Sequence, residues 1–230
     1  MKEKQKITID VVSDVACPWC FVGKKNLEKA ISANTDTDFQ VNWHPFQLDP
    51  TLPESGQDRD EYMANKFGSV ERFEMMTENL VEKGNGAGIQ FDFGAMKTIP
   101  NTLKMHKLLH EASKAGFATE LKEALFEAYF EKGLDMSNPE TLVEIMTQFG
   151  WEKAQTESVL DNQEITYWVS QEMRNYQNMG VRAVPFFIIN NKYGLSGAQP
   201  AEVFAQAFSQ IEEESLQQKG EACDINDPNC

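Results

Sequence analysis

Strand-forming sequence occurs only towards the two ends of this chain, so any sheet must bring those ends together. Ile7 to Val12 (ITIDVV) is β-branched and mostly apolar, the pattern of a buried strand. Phe39, Val41 and Trp43 alternate with Gln40 and Asn42, a half-buried strand that ends at His44 and Pro45. Between them, Phe21 to Ser32 sets Phe21, Leu27, Ala30 and Ile31 near helical spacing, with Lys24, Lys25, Glu28 and Lys29 interposed. The start of the chain therefore reads β-α-β, which implies a parallel pair and a right-handed crossover. At the other end, Pro185 to Asn190 (PFFIIN) reads as a strand, Asn190-Asn191-Lys192 as a turn and Tyr193 to Ser196 as a second strand. Pro200 to Leu216 resumes helical spacing through Val203, Phe204, Ala207, Phe208 and Ile211, giving β-β-α.

From Arg59 to Met179 the pattern is almost wholly helical, broken at Gly84 to Gly88, Pro100, Gly116, Gly133 to Pro139 and Gly150. It accommodates between four and six helices, roughly one per uninterrupted stretch. Asn101 and Asn138 stand where N-caps belong, and Pro139 suits a first helical position. Gly84 to Gly94 (GNGAGIQFDFG) reads as a connecting loop, and the stripe Phe67, Phe73, Met75 and Met76 as core. The expected fold is α/β: one sheet with helices on its faces and a large all-helical insertion. Segments 1–55 and 180–218 are expected to form one discontinuous domain, 56–179 the insertion, and 219–230 a tail.

Charge and length exclude some functions. The chain has 230 residues, 41% of them hydrophobic, enough for a real core. Its 21 basic and 36 acidic residues give a net charge of −15, which repels a phosphate backbone and argues against a nucleic-acid partner. No apolar run approaches the roughly 20 residues that cross a bilayer. The opening MKEKQKITIDVV has charges but no apolar stretch of signal-peptide length, so the expected location is cytoplasmic. In such a compartment four cysteines point to reactive or metal-binding thiols, not to a disulfide scaffold.

Cys17-Pro18-Trp19-Cys20 lies where a strand hands over to a helix. Unpaired N–H groups of a first helical turn favour a negative charge by roughly 0.3 to 2 kcal/mol, which predicts a thiolate at Cys17 with a depressed pKa. Pro18 stiffens the turn, Trp19 offers an apolar surface beside the sulfurs, and the spacing lets a disulfide open and close. The chemistry expected is thiol–disulfide exchange, with the more exposed Cys17 as nucleophile and Cys20 resolving the mixed disulfide. The competing reading is half of a zinc site completed by Cys223 and Cys230, although the six residues between those two are loose spacing for such a site.

The ordered set SDVACPWCFVGKKNLEKAI, WHPFQLDP, PNTLKMHKLLHEA, VRAVPFF and SGAQP resembles the DsbA-like branch of the thioredoxin superfamily, and within it the FrnE-like subgroup. The resemblance implies a thioredoxin-like fold and a redox-active disulfide with no tightly bound cofactor. It also implies a cis Val184–Pro185 peptide facing the cysteines, with backbone groups of Val184 pairing with substrate. Asn101 and His106 would overlook the pocket as substrate contacts. Cys223 and Cys230 would form a tail pair able to exchange with Cys17 and Cys20, against a bland alternative of an acidic tail with two ordinary thiols. The partner implied is a thiol- or disulfide-bearing protein or small molecule, with glutathione or a thioredoxin-type donor supplying electrons; the oligomeric state is left open.

The chain departs from the pattern of thioredoxins and DsbA at Val11, where they place a buried carboxylate. Asp10 and Asp14 are nearby, and a carboxylate at a strand end reads more readily as solvated or capping than as catalytic, the role that Asp14 would otherwise take. His44, before Pro45 at a strand end, reads as a residue that caps and packs, and His106 with His110 lacks the general-base Glu of a helical zinc motif. Two other functions remain on such a fold. One is a glutathione-dependent isomerase resembling the hydroxychromene-carboxylate isomerases, whose leading cysteine is typically serine. The other is a non-catalytic chaperone or adaptor.

Overall fold

The structure is a computed structural model and describes residues 4–221. Strand β1 (Gln5–Ser13) and β2 (Thr37–Pro45) pair in parallel from Gln5 opposite Thr37 to Ser13 opposite Pro45, joined by helix α1 (Pro18–Ala33). Strand β5 (Phe186–Ile189) pairs antiparallel with β1, and β6 (Tyr193–Ser196) antiparallel with β5, giving the order β2-β1-β5-β6. The chain's two ends thus share one sheet. Ile7, Ile9 and Val11 of β1 pack with Leu27 and Ala30 of α1 and with Phe204, Phe208 and Ile211 of helix α9 (Ala201–Glu221).

The β5–β6 turn carries Asn190 at φ 51° and Asn191 at φ 54°. Two consecutive left-handed residues match the right-handed twist of a tight hairpin, and Asn tolerates that conformation better than most residues. Asn190 also ties the hairpin to β1: its amide donates to Thr8 O at 2.8 Å and its side-chain oxygen accepts from Thr8 N at 2.9 Å.

The middle of the chain holds seven α-helices among the described residues, more than the four to six expected. They are α2 (Arg59–Phe67), α3 (Val70–Gly86), α4 (Leu103–Ala115), α5 (Ala118–Phe126), α6 (Pro139–Thr147), α7 (Lys153–Asp161) and α8 (Gln163–Asn178). The extra breaks are made by caps, not by prolines. Ser69 accepts from Arg72 N to start α3, and Asn162 ends α7 while accepting from Glu164 N and Ile165 N to start α8. Asn138 caps α6 as expected, but Thr102 is the N-cap of α4 and Asn101 sits one residue ahead of it.

A short antiparallel ladder, β3 (Gln57–Asp58) with β4 (Thr98–Ile99), was not anticipated. The expected loop from Gly84 is in its first part helical, since α3 runs through Gly86. Of the expected core stripe, Phe67 packs beside Leu52, Met63 and Ile99, whereas Met75 is 64% exposed; the side chains of Phe73 and Met76 lie outside what is described.

The insertion reaches the start of α1. Phe21 stacks on Phe126 at 5.0 Å between ring centroids, and Phe126 and Phe130 lie in one core cluster with Cys17 and Cys20. After Phe126 the backbone continues as a π-helical turn over Glu127–Glu131, which presents Tyr129 and Phe130 inward. No helix of the described residues is long and apolar enough to cross a membrane.

Candidate redox site

Cys17 is the N-cap of α1, and Pro18 occupies the first turn, where its missing N–H costs nothing. The Cys17 amide donates to Asp14 O at 3.3 Å and the Cys20 amide to Cys17 O at 3.0 Å, closing the turn on both sides of the motif. Both thiols are free and buried, Cys17 4% exposed and Cys20 1%, so the expected exposure of Cys17 is slight; Trp19, at 38%, is the exposed member. The Val184–Pro185 peptide is cis, and the Cys17 thiol donates to Val184 O at 3.6 Å. Gly23 permits this approach: a Cβ there would meet Pro185 Cγ at 3.0 Å and Phe187 Cζ at 3.1 Å.

Cys17, Pro18, Trp19 and Val184 open on a cavity of about 380 Å³ whose far wall includes Leu52, Met63, Phe93 and Met96. Asp14 also lines it. Asp14 was expected to be solvated or capping, and the structure corrects this: it is 1% exposed. Its Oδ2 accepts from Leu48 N at 2.7 Å, and its Oδ1 faces Ala16 N at 3.4 Å and His106 Nε2 at 3.3 Å. The segment after β2 folds over the end of β1, and α4 closes the other side, so water is excluded and protein donors replace it. Burial alone works to raise the Asp14 pKa, but His106, the Leu48 amide and the Thr102 hydroxyl outweigh it and hold the carboxyl below its usual range.

A depressed Cys17 pKa was expected, and the structure gives the opposite. The hydrogen bond with Cys20, then burial and the charge of Cys20, push the Cys17 thiol well above its ordinary value; the Cys20 amide opposes this, and Asp14 adds to it. The helix N-terminus is present, but in a buried site beside a carboxylate its effect is the smaller one.

The remaining candidates fall elsewhere. His106 does not line the Cys17 cavity; it stands behind Asp14, its Nε2 also 2.8 Å from Phe46 O, and faces a second cavity of about 290 Å³. Asn101 bonds Leu52 O at 2.7 Å and Gln47 Nε2 at 2.8 Å, outside the Cys17 cavity. Val11 is buried in the sheet core. Asp10 bonds Asn42 at 2.9 Å and His44 Nε2 at 2.9 Å, and His44 Nδ1 meets Glu172 at 2.6 Å, so His44 is the centre of an ionic cluster and no mere cap. No group of three or more His, Cys, Asp or Glu side chains with metal-binding geometry occurs among the described residues. Cys223 and Cys230 lie outside the described residues.

Sequence reasoning overlooked Lys122, a buried lysine on α5. Its Nζ lies 5.0 Å from the Phe126 ring centroid and 5.8 Å from that of Trp43, with no carboxylate within ion-pair distance among the described residues. Burial pushes its pKa down to about 8, against the opposing pull of Cys20, Asp14 and Cys17. A lysine on an amphipathic helix reads as solvated, so nothing in the sequence flagged it.

Comparison with known proteins agrees with this geometry. Residues 8–209 match the family model for the DSBA-like thioredoxin domain. A probable DsbA oxidoreductase of Streptomyces coelicolor, SCO1869, superposes with a TM-score of 0.83 at 31% identity, covering 90% of this chain and 91% of its own. YwbO of Bacillus subtilis, an uncharacterized protein, is 27% identical over 88% of this chain and 96% of its own length. The cytosolic disulfide reductase DsbM of Pseudomonas aeruginosa, whose structure was solved with GSH, shares the fold at a TM-score of 0.63 and 16% identity, covering 89% of this chain and 99% of its own. With the thioredoxin-type sheet, a strand-to-helix CxxC and a cis-proline beside it, the chain belongs to the DsbA-like thioredoxin domain family.

Proposed function

We propose that the protein reduces or rearranges disulfides by thiol–disulfide exchange through Cys17 and Cys20. One observation carries this: two free thiols three positions apart at a helix start, the first facing both a substrate-sized cavity and the Val184 carbonyl. In the reductive direction Cys17 loses its proton and its sulfur attacks one sulfur of a substrate disulfide. That S–S bond breaks, a mixed disulfide forms and the first substrate thiolate leaves. Cys20, deprotonated in turn, attacks Cys17 Sγ; the second substrate thiolate leaves and a Cys17–Cys20 disulfide remains. Two electrons and two protons pass to the substrate. Two equivalents of a low-molecular-weight thiol such as glutathione, or one dithiol carrier protein, restore the dithiol. The likeness of fold to a disulfide reductase whose structure was solved with GSH supports glutathione as a candidate donor.

Trp19, Val184 and Pro185 are the substrate-facing groups in this reading, and Pro18 holds the turn. Asn101 and His106 act indirectly, Asn101 by pinning the Leu52 segment and His106 by contact with Asp14. A cytoplasmic site of action and an exchange step between Cys223–Cys230 and the CxxC pair complete the proposal. Equilibration with glutathione redox buffers, following Trp19 fluorescence and the mass of alkylated peptides, tests it. A reversible two-electron transition at Cys17 and Cys20 is the expected result; a protein that stays reduced throughout, or that retains zinc, overturns the proposal.

A further inference from the structure

Asp14 and His106 form a buried contact that the exchange chemistry does not itself require. Asp14 is fixed by the Leu48 amide, the Ala16 amide and His106, and it lines the same cavity as Cys17, whose amide it accepts through its own backbone carbonyl. Because Phe46 O can only accept, the His106 Nε2 at 2.8 Å must carry a hydrogen, and that N–H is shared with Asp14 Oδ1. Three residues thus hold one buried carboxylate in place, three positions ahead of Cys17.

We propose, resting on the exchange reading above, that Asp14, seated by His106, is the charge that sets Cys17 as an electron donor: it disfavours the Cys17 thiolate relative to the disulfide. A pair whose reduced, anionic form is stabilised behaves as an oxidant, and a pair whose reduced form is denied that stabilisation gives its electrons up more readily. Asp14 thereby adds to the Cys20 hydrogen bond and to burial in opposing the usual pull of a helix N-terminus towards a stable thiolate. The raised Cys17 thiol and the ionised Asp14 are both consistent with it.

The other ionisable groups around this site are Cys20 on α1, Lys122 on α5, Tyr62 and Lys66 on α2, Asp49 before α2, and Tyr129 of the π turn. Both tyrosines are held neutral by burial, so Lys122 is the opposing buried charge.

The test is Asp14→Asn, which keeps the shape and removes the charge. The rate of Cys17 alkylation is followed against pH in a Cys20→Ser background with and without the substitution. The redox midpoint of the dithiol protein with and without it is measured in glutathione buffers from pH 7 to pH 9. The expected result is an alkylation profile displaced to lower pH, about tenfold faster at a fixed pH below its midpoint, and a midpoint potential moved in the oxidising direction at the alkaline end. His106→Gln retains a donor and should leave both nearly unchanged. A folded Asp14→Asn protein with the unaltered profile and potential overturns the inference while leaving the exchange reading intact. An unaltered protein with no redox transition overturns the exchange reading itself. Should Asp14→Asn not fold, the Asp14 carboxyl carbon resonance in the unaltered protein must move as Cys17 titrates, and a stationary resonance overturns the inference equally.

Discussion

The two cavities that meet across the Asp14–His106 contact differ in kind. The one in front of Cys17 is walled largely by Leu52, Met63, Leu80, Phe93 and Met96, with Lys66 at its rim. The one behind is walled by His44, His106, His110, Lys114, Lys122 and Glu172. An apolar front suits sulfur chemistry, since it excludes water from the mixed disulfide and accepts the apolar part of a substrate. The polar back brings Lys122 within electrostatic reach of the dithiol from outside the front cavity. Asp14 of the front meets His106 of the back, and Phe126 lies against both Phe130 of the front and Lys122 of the back.

The largest expected effect breaks the front alone. Cys17→Ser should lower disulfide exchange by at least about 10³-fold, because a hydroxyl cannot replace the attacking thiolate. Cys20→Ser should still form the mixed disulfide and accumulate it, visible as a mass increase of one substrate thiol. Equal retention of activity in both would remove the front cavity from the chemistry. Next comes the partition. Phe126 touches Phe21 and Lys122, so Phe126→Ala should cost about 3–5 kcal/mol in urea unfolding; a loss under about 1 kcal/mol would mean that this ring does not form the packing layer between the cavities.

A third prediction concerns the back. Lys122 is protonated in the unfolded chain up to its ordinary pKa of 10.5 but titrates at about 8 when folded. Between those values the unfolded state binds more protons, so stability rises with pH through that window, and below about 8 the full burial penalty is present. Lys122→Met should therefore raise stability near pH 7 by on the order of 3 kcal/mol and flatten the rise between pH 8 and 10.5, as read by thermal or urea unfolding at several pH values. Lys24, buried as deeply, is paired with Glu28 and Glu123. Unchanged stability in Lys122→Met would show that the Phe126 and Trp43 rings already compensate the charge.

Much of this fold is legible in the sequence because strand and helix periods are local. Ile7 to Val12, Phe39 to Trp43 and Pro185 to Ser196 carry their own signals, and they supply the whole four-stranded sheet. The Cys17–Cys20 motif is equally local, and the resemblance supplied the cis-proline partner. What could not be read depends on which elements meet. Asp14 looks like any polar residue at a strand end until the segment around Leu48 and helix α4 fold over it. The raised Cys17 thiol follows from its hydrogen bond with Cys20 and from its own burial, so the reading of a helix N-terminus gave the wrong sign. Lys122 and Lys24 are both lysines on amphipathic helices, and only the tertiary structure separates the unpaired one from the paired one. Asn162, ending one helix and starting the next, hid a boundary because no glycine or proline marks it.

The smallest expected effect lies at the outer edge of the back cavity, where His44 bridges Asp10 and Glu172 and packs against Tyr176 at 4.7 Å. Burial works to lower its pKa, but the hydrogen bonds and charges of Glu172 and Asp10 outweigh burial and raise it above 6.5. The folded state therefore holds the His44 proton more tightly than the unfolded chain does. The resulting stabilisation is fully present below the unfolded value and is lost as pH rises through the folded value. His44→Gln should remove that slope and cost about 1 kcal/mol at pH 6, with a smaller loss at pH 8, while leaving the Cys17 alkylation profile where it was. A displaced profile would mean that the ionic cluster at His44 reaches the dithiol through His106, and that the back cavity acts on the sulfurs as one electrostatic unit, not through Asp14 alone.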